Sequence, residues 1–419
     1  MLSRHARFVH QSARVMTLAL VVTGLAPVQL AAQTSTGSAR DQLREIIFLQ
    51  DVADSLIDEF SKAMTIGITS SPISTSSAGF TYRLNDQTGE RTLRSQSFGP
   101  LFVERPLTSG RGVLNGGITF SRVNFSKFLG TDIRSDGIVV YDRRDRYLAD
   151  NRVDFNHAEF TLSPTVTTAR ASLSYGVTDS FDVGVVVPVS RFEMTAVDKG
   201  AFDFRGEGLR GGSFGGVGSF AIDYAASKVG VGDVSLRAKY AFGVSQPVAI
   251  AVDVRLPTGD DENFLGTGKA SARVGVSGAR ALSSVFTLTA NGGYEAGGVT
   301  NLGFYRAAVD AALLSSKKLT VSAEFDGQYL SEAATGFAPD EFTYASRTIA
   351  GRSYPVEGRG FFQGLSIGGV NLVRAAIGAK YNLFGRALVS AGVIFPLNDA
   401  GLSAPASAFL GFDLSLGGR

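Results

Sequence analysis

The sequence predicts an all-β protein: a transmembrane, antiparallel, up-and-down barrel of about twelve strands, preceded by one amphipathic helix. Three observations carry this. Long runs of alternating residues recur along the chain, the connections between them are short and long in strict turn, and aromatic residues gather beside the short ones.

The clearest run is 230–260. Val234, Leu236, Ala238, Tyr240 and Phe242 fall on one face and Asp233, Ser235, Arg237, Lys239 and Ala241 on the other, since successive side chains of a strand point to opposite sides. After a turn at 243–247, Val248, Ile250, Val252, Val254 and Leu256 oppose Ala249, Ala251, Asp253 and Arg255. Each run has about 10 residues, enough for a tilted strand to cross the apolar part of a bilayer. Strands of soluble sheets are nearer about 5 to 6 residues.

The 419 residues are 44% hydrophobic and 19% charged, and without Cys they hold neither a disulfide framework nor a zinc-type cysteine cluster. Residues 1–32 read as a secretory signal. Arg4, Arg7 and Arg14 precede the apolar run 15–25, and Pro27, Ala31 and Ala32 lead to a cleavage expected between Ala32 and Gln33. Cleavage removes three of 40 basic residues and none of 38 acidic ones, turning a net charge of +2 into −1, so nucleic acid is not an expected partner.

From Asp41 to about Met64 the period becomes helical. Leu43, Ile46, Ile47, Leu56, Ile57 and Phe60 form the apolar stripe, Ser38–Asp41 resembles a capping box, and Gly67 follows the end. The polar face is acidic, with Asp41, Glu45, Asp51, Asp54, Asp58 and Glu59 against Arg44 and Lys62, which suits a lipid surface poorly. The stripe could plug a lumen, pack on the periplasmic rim or meet a partner. A Ser-rich linker, 70–77, leads to a hairpin at 80–96 and to the Pro- and Gly-bearing segment 97–112, expected at the periplasmic entrance. Residues 33–112 thus precede a barrel at 113–419.

The barrel runs are 113–126, 158–176, 180–193, 231–243, 247–257, 268–281, 284–296, 303–314, 318–330, 367–383, 386–397 and 404–416. Adding the 80–96 hairpin to the wall would make fourteen strands. The tight connections 177–179, 244–246, 282–283, 315–317 and 384–385 alternate with longer ones, as short periplasmic turns alternate with outer loops in membrane barrels. Tyr175, Phe181, Tyr240, Phe242, Phe286, Tyr381 and Phe384 lie beside the tight turns, where an interfacial girdle would stand. The long connections 127–157, 194–229 and 331–365 are expected as loops.

Inward faces collect charge. The lumen-lining candidates are Arg170, Arg237, Lys239, Arg255, Lys269, Arg273, Arg306, Arg374 and Lys380, against Asp182, Asp233, Asp253, Glu295, Asp310, Glu324, Asp326 and Asp413. The near balance predicts a wettable lumen with no strong ion filter, and pairs such as Arg237 with Asp413 at closure. Catalytic, cofactor and metal sites are not expected. His157 is the only histidine after the signal, Gly206, Gly208 and Gly211 spell a dinucleotide pattern outside its strand-to-helix context, and Asp260, Asp261 and Glu262 lack calcium-loop spacing.

Three segments, 175–189 (YGVTDSFDVGVVVPV), 230–242 (GVGDVSLRAKYAF) and 256–268 (LPTGDDENFLGTG), resemble an outer-membrane barrel family labelled as transporters of the phenol meta-cleavage pathway. The resemblance covers about Val113 to the C-terminus. It implies passage of aromatic or other small hydrophobic compounds and supplies no residue set. The expected function is therefore an outer-membrane channel or transporter for small solutes, with membrane lipid and a small-molecule solute as partners and oligomeric state open. The alternatives are a structural or adhesive surface barrel with a helix-sealed lumen and, third, a barrel-embedded hydrolase using His157.

Overall fold

The computed structural model describes residues 37–46, 53–70, 79–84, 91–93, 97–144, 154–203, 217–242, 248–314, 318–343, 347–349, 352–354 and 357–416. Twelve strands close an antiparallel ring: β1 (Leu114–Asn124), β2 (Asp154–Gly176), β3 (Phe181–Asp203), β4 (Ser235–Phe242), β5 (Val248–Arg255) and β6 (Ser271–Ala281), then β7 (Phe286–Gly297), β8 (Leu302–Leu313), β9 (Leu319–Thr343), β10 (Glu357–Leu383), β11 (Ala387–Pro396) and β12 (Ser407–Leu416). Each pairs with its neighbour in sequence, and β12 closes on β1 from Ala408↔Arg122 to Leu416↔Leu114. Closure satisfies the backbone without water, the condition for strands in lipid.

The outward faces are apolar and exposed, as at Leu236, Ile250, Val252, Val274, Val276, Ile377 and Leu410. Tyr175, Tyr240, Phe242, Phe286, Tyr381 and Phe384 are exposed at the tight-turn end, and Tyr294, Tyr305 and Tyr329 at the other. Tyr381 lies opposite Leu319 and Tyr329 opposite Asn371. From 319 to 329 the strand rises about 23 Å at ~3.3 Å per residue and roughly 45° of tilt, close to the ~25 Å apolar band of such barrels.

Three expectations need correction. The hairpin Tyr82–Leu84/Arg91–Leu93 pairs only with itself; at 3 residues each its strands are too short to span, so the ring has twelve strands, not fourteen. The expected outer loops are largely strand. The ladders of β2, β3, β9 and β10 run on, reaching 23, 23, 25 and 27 residues, while Ile138–Arg144 pairs with β2 and Val217–Val231 with β3. Beyond the lipid no outward apolar face is needed, so alternation fades while pairing continues.

The single helix expected at 41–64 is two, α1 (Ala39–Ile46) and α2 (Ala53–Thr69). Ile46, Leu56 and Ile57 stand on these helices, and Ile47 lies outside the described residues. α2 outlasts its predicted end because Ala63, Met64, Thr65 and Ile66 are all buried, leaving no polar face to mark a stop. The buried hydroxyl of Thr65 donates to the Ser61 carbonyl (2.9 Å). Leu43 and Phe60 join a core with Phe128, Phe160, Phe192, Phe264 and Leu402, and Phe60 meets Phe128 edge-on at 4.8 Å. α2 therefore lies inside the barrel, in the half away from the tight turns.

Candidate functional site: the occupied lumen

The chain crosses the lumen from one end to the other before the wall begins. At the long-strand end α1 is tied down by Arg40 to Glu262 (3.0 Å) and by the Ala39 N–H to Asn263 Oδ1 (2.9 Å). The acidic stretch 260–262 thus anchors a helix, and no metal-type cluster occurs among the described residues. α2 descends to mid-lumen, where Arg374 donates to Ser70 Oγ (3.4 Å) and Gln328 to the Ser70 carbonyl (3.2 Å).

Below it, residues 97–112 form a strap held on several sides of the wall. The Glu324 carboxylate accepts the backbone N–H groups of Leu101, Phe102 (2.9 Å) and Val103 (3.1 Å). Lys380 donates to the Pro100 carbonyl (2.6 Å), Lys239 to Glu104 (2.8 Å), Asn291 to the Glu104 carbonyl (3.3 Å), and Ser109 N–H to Asp182 (2.8 Å). Four of these anchors, Glu324, Lys380, Lys239 and Asp182, are charged, and such hydrogen bonds are roughly twice as strong as neutral ones. At the base Gly112 donates to the Gly176 carbonyl (2.7 Å), and a Cβ on Gly176 would collide with the Gly110 carbonyl.

The wall charges sort by level. At mid-height Asp326 bridges Arg306 and Arg374 (2.6 Å), and Glu295 accepts from Arg273 with Arg255 at 3.8 Å. Arg170 adds a fifth arginine, whose one side-chain hydrogen bond among the described residues is to Ser121 Oγ (3.2 Å). With Arg237 and Asp253, which line one cavity with Arg255, Arg273 and Glu295, six arginines thus face three carboxylates, a local surplus of positive charge that the balanced total conceals. Nearer the base, Asp182, Asp310, Glu324 and Asp413 outnumber Lys239, Lys380 and the strap's buried Arg105.

The other predicted residues are placed as follows. Arg237 pairs with Asp253 on the adjacent strand and lies 3.7 Å from Glu104. It does not meet Asp413, because β4 and β12 are not neighbours. Asp233 staples an outer turn, accepting the Gly259 (3.0 Å) and Thr267 (2.8 Å) N–H groups. Lys269 is exposed in the connection before β6 and does not line the lumen, because the alternating pattern starts only at Ser271. His157 stands on the extended part of β2, opposite Tyr141 and Ala201, and Gly206, Gly208 and Gly211 lie outside the described residues. The lumen role of the strap, with Glu104, Arg105 and Ser109, escaped sequence reasoning. Its one signal was the Glu-Arg pair between apolar residues and prolines.

Beside the plug lies a cavity with about 870 Å3 of empty space, counting its open mouth. Phe102, Val123, Phe125, Leu372, Ile394 and Phe409 give it apolar walls, Phe102 meeting Phe409 edge-on at 4.7 Å. Arg170 and Arg374 are the cations in its lining. The β11–β12 ladder ends at Ile394↔Ser407. At that rim Phe395 and Ala408, which alternate with the inward Ile394 and Phe409, also line the cavity.

These features define a closed transmembrane barrel occupied by its own N-terminal chain, with an apolar side chamber. Residues 150–302 match the family model described as "Putative MetA-pathway of phenol degradation", and all three segments that carry the family resemblance lie inside that match. Among solved structures the chain is similar to an outer-membrane channel from Pseudomonas putida F1 (10% identity, 74% of this chain and 97% of that one, TM-score 0.41). It is also similar to a Pseudomonas aeruginosa FadL homologue (9%, 74% and 91%, TM-score 0.32) and to the Ralstonia pickettii toluene transporter TbuX (9%, 74% and 90%, TM-score 0.31). No curated protein matches the chain.

Proposed function

We propose that the protein is an outer-membrane channel passing small, largely apolar solutes, aromatic compounds among them, with its lumen closed at rest by its own N-terminal chain. In this reading residues 1–32 are a cleaved export signal, 33–112 the plug and 113–419 the conducting barrel. One observation supports it above the others: an apolar chamber persists beside the plug and extends to the end of the β11–β12 ladder. Apolar concavity with a few placed polar groups is the usual form of a small-molecule site. The phenol-degradation label of the matching family supports aromatic solutes.

The test is solute flux and single-channel conductance in liposomes, comparing the mature chain with one lacking residues 33–64. Conductance that rises on deletion supports the gated channel. Absence of flux from both forms, with the barrel shown to be folded, would favour a sealed structural or adhesive barrel.

A further inference from the structure

The cavity pairs an apolar wall with a cation that has no counter-ion. Arg273, Arg306 and Arg374 each have a carboxylate within 3 Å, and Arg255 has Glu295 at 3.8 Å. Arg170 has none among the described residues, and its one side-chain hydrogen bond, to Ser121 Oγ, uses one of five N–H donors. It stands on β2 between two cavities, the apolar one beside β11–β12 and a second that Arg255 and Asp233 also line. The Asp233 carboxylate there is engaged by the Gly259 and Thr267 N–H groups and the Thr267 hydroxyl and forms no ion pair with Arg170. A guanidinium is a planar fork that fits a carboxylate with two parallel bonds. Arg170 lines a chamber whose walls at Phe102, Val123, Phe125 and Phe409 are hydrocarbon, with Thr119, Ser121, Asn398 and Arg374 among its polar groups.

Taken together, we infer that this chamber is a binding site for small organic anions, an aromatic or short aliphatic body with one carboxylate or phenolate head, seated with the head on Arg170 and the body against Phe102 and Phe409. A free inorganic anion would satisfy Arg170 but leave the apolar wall wet, and a neutral hydrocarbon would do the reverse. The inference narrows the solute class of the channel reading, on which it rests for flux though not for binding.

The experiment uses the full mature chain in detergent for equilibrium binding by calorimetry, and in liposomes for flux. The probes are benzoate, its neutral counterpart benzyl alcohol, and chloride. The variants are Arg170→Gln, Arg170→Lys and, as a control in an exposed loop, Lys269→Gln. Benzoate is expected to bind at least roughly tenfold more tightly than benzyl alcohol, the scale of a charge-assisted hydrogen bond. Arg170→Gln should erase that preference without weakening benzyl alcohol, Arg170→Lys should restore part of it, and Lys269→Gln should leave it intact. Equal binding of the two aromatics to the unaltered protein, or a preference that survives Arg170→Gln, overturns the inference. Arg170-dependent tightening for chloride equal to that for benzoate overturns it in favour of a simple halide site. Benzoate binding without flux sinks the channel reading and leaves this one standing, whereas flux of benzyl alcohol without an Arg170-dependent preference does the opposite.

Discussion

Replacing Glu324 by Gln tests whether the strap is what closes the base of the lumen. The carboxylate accepts three consecutive backbone N–H groups, from Leu101, Phe102 and Val103, and the Ser322 hydroxyl (3.0 Å). The three amides belong to buried residues, and the Glu324 side chain that accepts them is itself buried in the wall of β9. Gln keeps one acceptor oxygen, removes the charge, and turns an NH2 group toward donors. Hydrogen bonds to a charged group contribute about 1.5–3 kcal/mol each, so weakening three while keeping one acceptor should loosen docking by about 2–4 kcal/mol. At 1.36 kcal/mol per decade, that raises the undocked population roughly 30- to 1000-fold.

The assay is single-channel conductance in planar bilayers, together with hydrogen exchange at the amides of 101–103. Glu324→Gln should open more often and exchange those amides faster, while Glu324→Asp, which retains the charge on a shorter stem, falls between. If the amides exchange faster and conductance stays at the level of the unaltered protein, the strap is not the barrier. If neither changes, the three hydrogen bonds do not hold the strap, and the reasoning from geometry to closure fails.

Three further outcomes follow from the same contacts. Phe60→Ala removes a fully buried ring from the α2 core and should cost about 3–5 kcal/mol, seen as faster proteolysis of residues 37–70 with barrel stability unchanged. Asp326→Asn strips the shared counter-ion from Arg306 and Arg374 and should destabilise the folded barrel by about 3–5 kcal/mol in denaturant titrations, more than removal of an exposed pair such as Lys127 with Asp399. Asp132, in the outer turn before Ile138, accepts the Ser135 (3.0 Å) and Arg134 (2.9 Å) N–H groups, which hold its carboxyl below the usual value. A depressed carboxylate pKa gives order that is complete above the ordinary value of 3.8 and lost as pH falls through the lower folded one, so amide protection at 134–135 should vanish in that acid window.

Much of the wall was legible because lipid imposes a rule on each strand. Leu236, Tyr240 and Ile250 had to face out and Arg237, Lys239 and Asp253 had to face in, and the tight turns fixed the direction of travel. Where that rule lapses, the reading lapsed too. β9 and β10 continue past the lipid as a paired ladder through residues such as Ala338 and Gly364, whose small or polar neighbours show no periodicity. The strap was invisible for another reason. Its anchors are backbone groups of Leu101, Phe102 and Pro100 gripping wall side chains more than two hundred residues away, and backbone donors carry no sequence signature. Arg170 was found as an inward residue by alternation, but its lack of a counter-ion among the described residues depends on what β1 and β3 place beside it.

The two parts of the plug are held by different physics, and this bears on how a solute could pass. α2 is packed by hydrocarbon, with Phe60, Met64 and Ile66 against Phe128, Leu330 and Leu402, whereas the strap is held by Glu324, Lys380, Lys239 and Asp182. Expelling α2 would expose a buried apolar surface and also strain the tie of α1 at Arg40, because α1 and α2 follow one another closely in the chain. Releasing the strap exposes charged and polar groups that water can solvate, so its cost in a wetted lumen is smaller than the count of its bonds suggests. The side chamber already lies against Phe102 of the strap, Gly67 of α2 and Ser70 just after it. A solute that entered at the β11–β12 rim would therefore meet the strap, with Phe80 and Tyr82 packed on its Phe98, before the tight-turn end.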